Sequence, residues 1–291
     1  MKHLYIIIAA TGTKFGGVIR KVGKVKYNHS SIAFDKELNE WYGFARRHHR
    51  AVLTGGLVKE NIVRYTMNRP RVYVNSMVFE IPVTDEEYAR AWQLVEQISG
   101  DRSYIYNLFS VLTYPITNGL VTYKAFTCAE FVSMILKMIQ QPVSETKLCV
   151  YTPDDIGRII KDYCIFSGNL VDYVGEREVV TDYFQGFSRG DAKESVVNVG
   201  RLFARLFYHK KSWGRAVRKV ADTEVGNRDD KKLHLKTGEI GKKKKTRKTA
   251  GRKKAEGKTA KKYTVYKSVG KKAEDKKAKP DSANKSGVIA G

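Results

Sequence analysis

The tetrapeptide Thr127-Cys128-Ala129-Glu130 heads an apolar series, Phe131, Val132, Ile135, Leu136 and Ile139, that recurs at helical spacing. Thr and Glu three residues apart carry the capping-box signature, in which each side chain satisfies a backbone N–H at a helix start. Cys128 is thereby expected at the first helical position. Unpaired N–H groups and the helix dipole there favour thiolate over thiol, and the thiolate is the nucleophile. A cysteine is otherwise a small buried hydrophobe, so nucleophilic chemistry also requires a base. His29 is the candidate base: it opens a run in which His29, Ser31 and Ala33 alternate with Ser30, Ile32 and Phe34. Its small neighbours on that face are expected to let a helix lie close and bring a thiol within reach of the imidazole. His3, His209 and His234 have no such setting, and His48 and His49 fall in the cationic run Arg46-Arg47-His48-His49-Arg50.

The elements that must position this pair can be read in order. Leu4 to Ala10 is a short isoleucine-rich run ended by Thr11-Gly12, which reads as a buried strand. Phe15 to Val22 reads as a short helix or an irregular segment. Residues 29–35 read as a strand, Lys36 to Asn39 as a hairpin connection, and Trp41 to Ala45 as the returning strand. A loop rich in His and Gly follows, then a strand from Arg71 to Pro82. A helix from Asp85 to Ile98 is announced by Thr84 and the acidic Asp85, Glu86 and Glu87. After Cys128, Thr152-Pro153-Asp154-Asp155 opens a short capped helix, and Tyr163 to Tyr173 reads as a strand or hairpin around Ser167-Gly168-Asn169. Val196, Val199, Leu202, Phe203, Leu206 and Phe207 fit an amphipathic helix, either packed on the body, the favoured reading, or offering a basic face to a membrane or partner.

The strand Asn28-His29-Ser30-Ser31-Ile32-Ala33-Phe34-Asp35 is followed by Trp41-Tyr42-Gly43-Phe44-Ala45-Arg46 and, much later, by Phe126-Thr127-Cys128-Ala129-Glu130-Phe131-Val132. This order resembles the circularly permuted papain-like cysteine peptidases and amidases, a superfamily that includes bacterial cell-wall amidopeptidases and lecithin-retinol acyltransferases. The resemblance covers roughly residues 3 to 175. It implies an α+β fold in which an antiparallel sheet packs against the cysteine-bearing helix. It further implies Cys128 as nucleophile, His29 as general base and then acid, and an acyl-enzyme formed from an amide or ester. The N–H of Cys128 is a natural oxyanion donor, and Tyr106, upstream of the cysteine, is the candidate for assisting it. The third member of such a site should be a polar residue on the strand after His29, fixing its tautomer. If residues 36–39 form the hairpin loop, Asp35 pairs with Glu40 and the face of His29 carries Tyr42, Phe44 and Arg46, none of them a carboxylate or an amide. Tyr42, a backbone carbonyl and Glu80 are then the candidates.

Composition supplies the frame. The net charge is +24, and residues 226–291 hold 23 Lys and Arg against 7 Asp and Glu, so +16 of it lies in the tail and +8 in the rest. Large apolar residues are sparse in the tail, Tyr263, Val265 and Tyr266 among them, and it is expected to be disordered. Its chemistry suits electrostatic attachment to a polyanion, whether nucleic acid, anionic lipid or an acidic wall polymer. The chain thus divides into a catalytic domain at 1–175, a helical extension at 176–225 and the Lys-rich tail at 226–291. The 3 cysteines, Cys128, Cys149 and Cys164, form no CxxC pair and no metal-ligand spacing with His, so neither a metal nor another cofactor is expected. Cys164 falls in a strand and is read as structural. No run reaches transmembrane length and the N-terminal apolar stretch is too short for a secretory leader, so a reducing cytoplasm is the expected location. A cysteine amidase or peptidase acting on an amide- or peptide-containing substrate is the favoured function. An acyltransferase on the same chemistry, and an inactive papain-like binding module, are the alternatives.

Overall fold

A computed structural model describes residues 1–69, 71–143, 148–175, 177–208 and 264–267. The first half runs β1 (Lys2–Ala9), α1 (Lys14–Gly23), β2 (His29–Ala33), β3 (Trp41–Arg46), β4 (Gly55–Lys59), α2 (Ile62–Thr66), β5 (Asn75–Val83) and α3 (Asp85–Gly100). Then come β6 (Ile105–Tyr106), α4 (Leu108–Thr117), β7 (Ala125–Phe126), α5 (Cys128–Met138), α6 (Pro153–Ile159), β8 (Cys164–Asn169), α7 (Leu170–Val174), β9 (Glu178–Thr181) and α8 (Arg189–Tyr208). Residues Thr264–Lys267 form β10.

The architecture is α+β. Six strands form an antiparallel sheet in the order β4-β3-β2-β1-β5-β8. Strand β1 is central, and its Leu4 to Ala9 run is apolar throughout because helices cover both faces of the sheet. On one face Leu4, Ile6, Ile8, Ile32, Phe34, Phe44, Phe79 and Ile81 meet α5, α3 and α6. On the other, Tyr5, Ile7, Ala9, Ala33, Trp41 and Val78 meet Ile62, Val63 and Tyr65 of α2 and Leu170, Val171 and Val174 of α7. Helix α5 is anchored by Phe131, Val132, Ile135 and Leu136, all fully buried. Each such side chain contributes about 2 kcal/mol of transfer free energy.

The cap signals fix where helices begin. Thr84 with Glu87, Thr127 with Glu130 and Thr152 with Asp155 each form a reciprocal capping box at the expected helix start. Elsewhere the structure departs from the sequence expectation. Strand β5 begins at Asn75 and not at Arg71, whose φ of 61° lies in the left-handed region. The segment after β8 is a helix and not a strand, because the Asn169 side chain accepts from Val171 N and caps α7. The expected His- and Gly-rich loop contains β4. The extension after residue 175 includes a strand, β9, before its helix. That helix packs on the body as expected: Asn198 Nδ2 donates to the Leu53 carbonyl, Arg205 to the carbonyls of Lys124 and Ser103, and Phe203 stacks edge-on against Phe109.

Within the tail expected to be disordered, four residues are ordered: β10 pairs antiparallel with β9, Val265 opposite Val180 and Tyr266 opposite Val179. The rest of that tail, and residues 209–225 of the extension, lie outside the described residues. Among the described residues no helix is long and apolar enough to cross a membrane.

One correction bears directly on the site. Strand β3 pairs with β2 as Ile32 opposite Tyr42 and Ala33 opposite Trp41, one residue away from the expected register. The hairpin is closed by Phe34 N donating to Glu40 O, so Asp35 belongs to the loop. Its carboxylate accepts from the backbone N–H groups of Asn39 and Glu40, and Leu38 takes a left-handed φ of 58° while remaining buried. A one-residue slip exchanges the two faces of a strand. Gly43, and not Tyr42, therefore stands on the side of His29.

Candidate active site

His29 lies at the start of β2 and is buried. Its Nε2 is 3.0 Å from Oε1 of Glu60, itself buried. With Nε2 committed to Glu60, Nδ1 is the ring nitrogen left for Cys128, which bonds the imidazole. Tyr65 packs edge-on against the ring at 5.5 Å between centroids and bonds the Ser31 hydroxyl at 3.1 Å. The Trp41 indole donates to the same hydroxyl at 2.6 Å. This buried network leaves the histidine little freedom to turn.

Cys128 stands at the first position of α5, as its capping box requires. Helix α5 does not lie on the Ser31 and Ala33 side of the sheet, as expected; it packs on the opposite face, which carries Ile32, Phe34 and Phe44. The thiol still meets the imidazole because both sit at the sheet's end. The β2–β3 ladder stops at Ile32 opposite Tyr42, whereas β3 continues pairing with β4 as far as Arg46 opposite Gly55. Past that point the Ser30 N–H bonds the Cys128 sulfur, as does the Ala129 N–H. The sulfur also lies 3.9 Å from the Asn28 carbonyl.

The electrostatics are mutually consistent. Burial works against charge on His29, but the Glu60 carboxylate and the bonds to Cys128 and Glu60 outweigh it, and its pKa is pushed up to about 10. Burial likewise works against the Cys128 thiolate, and the hydrogen bond and charge of His29, with the two backbone N–H groups, hold the thiol below its ordinary value. Glu60 is held below the usual carboxylate range because, against burial, it receives the charge and bond of His29, the charge of Arg64 and a bond from Tyr65. Arg64 Nε lies 3.9 Å from the second Glu60 oxygen. The arrangement favours thiolate, imidazolium and carboxylate in a row.

Glu60 is the residue that sequence reasoning missed. It immediately follows β4, where its N–H bonds the Trp41 carbonyl at 2.6 Å. Gly55-Gly56 disguises that strand, since glycine is depleted in strands. Both glycines are needed there: a Cβ on Gly55 would come within 2.5 Å of Tyr106 Cβ, and one on Gly56 within 2.9 Å of the Tyr104 carbonyl. Gly43 was the available signal. A side chain there would occupy the space of the His29–Glu60 bond, at 2.8 Å from Glu60 Oε1.

The other candidates fall differently. Tyr106 is beside the site: it lines a cavity with His29 and Glu60 and a second one with Cys128. Burial and the neighbouring Cys128 push its phenol well above its ordinary value, so it keeps its proton. Tyr42 is not the orienter. Its hydroxyl donates to Glu40 at 2.5 Å, and its ring packs with Phe34 and Trp92 on the far face. Glu80 accepts from Tyr5 at 2.7 Å. Cys164 is exposed in β8, and Cys149 is buried. No family model, curated protein or solved structure matches the chain.

Proposed function

We propose that the chain is a cysteine-dependent hydrolase of amide bonds that works through an acyl-enzyme, on a permuted papain-like scaffold. The observation that carries this reading is the buried row Cys128, His29 and Glu60, with both neighbours of the imidazole favouring its protonated form. In this mechanism the Cys128 thiolate attacks the carbonyl carbon, and an S–C bond forms. The oxyanion is met by the Cys128 N–H at the start of α5 and by the Tyr106 hydroxyl. The C–N bond then breaks, and the amine leaves with the proton held on His29. A water molecule, deprotonated by His29, attacks the thioester; the S–C bond breaks and the acid departs. Glu60 keeps the ring oriented throughout and stabilises its charge, as the carboxylate does in a Ser-His-Asp site.

The Lys-rich tail joins this reading as an attachment arm. Its +16 charge suits a polyanion, which would concentrate the enzyme on an acidic surface. The test of function is covalent trapping. Incubating the protein with activated amides and aryl esters and then quenching in acid should leave one acyl group on Cys128, seen by peptide mass spectrometry. His29→Ala should lower turnover by about 10² to 10⁴, the usual contribution of a positioned acid–base. Acylation of another residue, or equal turnover in the His29→Ala protein, would refute the mechanism.

A further inference from the structure

Two cavities adjoin the Cys128–His29 pair, one lined by each residue, and they differ in chemistry. The one that contains His29 carries the charged Arg46, Glu60 and Arg64 beside apolar Phe15, Ile19 and Phe44, and so can meet a polar group with charge. The one that contains Cys128 is walled by Phe15, Val18, Ile19 and Val22 of α1 and by Val111 and Leu112 of α4. Phe15, Ile19, Asn28 and Tyr106 line both, so the cavities adjoin beside the reacting pair, and Val18, Val22, Val111 and Leu112 belong to the second alone. Polar groups around the second cavity are already occupied within the protein. Ser110 Oγ accepts from Leu120 N, Tyr114 donates to the Val150 carbonyl, Thr127 Oγ1 accepts from Glu130 N, and Thr152 donates to Asp155. A ligand entering there is met by hydrocarbon and by few free hydrogen-bonding groups. At its rim Val18, Val22 and Leu112 are about half exposed, and Ile116 one turn on is 90% exposed.

Proton logistics decide which part of a substrate occupies which cavity. On attack, the carbonyl carbon becomes bonded to Cys128 Sγ, while the departing group collects the proton of His29. The acyl portion therefore extends on the sulfur side and the leaving group on the imidazole side.

We propose that the apolar cavity between α1 and α4 is an acyl-chain site, so that the substrate is an amide or ester of an aliphatic acid whose polar leaving group faces Arg46 and Arg64. This rests on Cys128 acting as the nucleophile. The bonds balance as in any acyl transfer: S–C forms as C–N or C–O breaks and the leaving group takes the His29 proton. Water then supplies the hydroxyl of the released acid, and its remaining proton restores His29.

Two measurements on the full chain test the site. In a series of p-nitrophenyl esters, kcat/KM should rise roughly fourfold per added methylene from acetate until the cavity is filled. Val111→Phe should flatten that rise, lowering octanoate turnover far more than acetate turnover. Equal rates for acetate and octanoate would overturn the proposal. Independently of turnover, Cys128→Ala protein should bind a fluorescent undecanoic acid and release it to decanoate but not to acetate. Absence of that binding overturns the acyl site whatever the thiol does. Binding without any ester turnover supports the site and refutes the hydrolase reading instead, so the two failures are distinct. The same octanoyl chain offered as a soluble ester and within phospholipid vesicles shows whether the source is a free acyl compound or a lipid; faster turnover of either supports the site.

Discussion

Gly43 and Glu60 share one volume: a Cβ on residue 43 would stand 2.8 Å from the Glu60 oxygen that bonds His29, and 3.3 Å from His29 Nε2 itself. The corrected β2–β3 register puts that absent side chain on the imidazole's side of the sheet. Gly43→Ala is therefore expected to separate the carboxylate from the ring while the fold persists. Hydrolysis should fall about 100-fold or more, within the range assigned to a positioned acid–base, with a circular dichroism spectrum like the parent's. Full activity in the Gly43→Ala protein would show that the His29–Glu60 bond is dispensable.

The pH dependence follows from the same bond. The pKa of His29 is pushed up to about 10 and that of Cys128 is lowered, so thiolate and imidazolium coexist from below the ordinary thiol value up to about pH 10. Alkylation of Cys128 needs only the thiolate and should continue above pH 10. Amide hydrolysis needs the imidazolium proton for the leaving amine and should decline there. Glu60→Gln removes the negative charge that sustains the imidazolium, so the alkaline limb of hydrolysis should move to lower pH. An unmoved limb in the Glu60→Gln protein would assign the titration to another group.

Glu130 has a different role from the three residues of the row. It caps α5 through the Thr127 backbone N–H, yet its other oxygen is buried with no hydrogen-bond partner among the described residues. Burial pushes its pKa up to about 8, an effect the Thr127 bond only partly offsets. The folded state thus holds this proton more tightly than the unfolded chain. Stability is greatest below the unfolded value of 4.5 and is lost as pH rises towards 8. At pH 7 the loss is about 3 kcal/mol. Gln at this position preserves the capping box and removes the titration, so Glu130→Gln should be the more stable protein at pH 8 and similar at pH 4.5. Urea midpoints compared at the two pH values check this; parallel changes in both proteins would contradict it.

Much of the scaffold was legible in the sequence. The N-cap signals at Thr84, Thr127 and Thr152 placed three helix starts, because N-cap chemistry is local to four residues. The central strand was also recoverable from apolar patterning, whereas the Cys128–His29 pairing followed only from the order of the motifs, since the helix lies on the sheet face opposite to the one that the small neighbours of His29 suggested. The third residue was not. Its placement depended on a hairpin loop one residue longer than expected, held by Asp35 and by Leu38 at positive φ, and that one residue exchanges faces. It depended as well on a strand whose two glycines are dictated by Tyr106 and Tyr104, side chains and backbone some fifty residues away. Non-local packing of this kind leaves no periodic trace.

The basic tail makes a separate prediction. Deleting residues 226–291 removes +16 of charge, and it should abolish salt-sensitive retention on heparin or DNA. Removal of β10 uncovers one edge of β9, distant in the chain from Cys128. Thiol alkylation should therefore be unchanged. Retention that survives the deletion would place polyanion binding on the body.

The thiol itself gives the most direct measurement. Iodoacetamide labelling at pH 7, followed by peptide mass spectrometry, compares Cys128, which is 5% exposed, with the freely exposed Cys164 and the buried Cys149. An activated thiolate should make Cys128 the fastest of the three despite its burial, and His29→Ala should remove that advantage. Labelling of Cys164 ahead of a slow Cys128, unchanged by His29→Ala, would contradict the proposed cysteine mechanism.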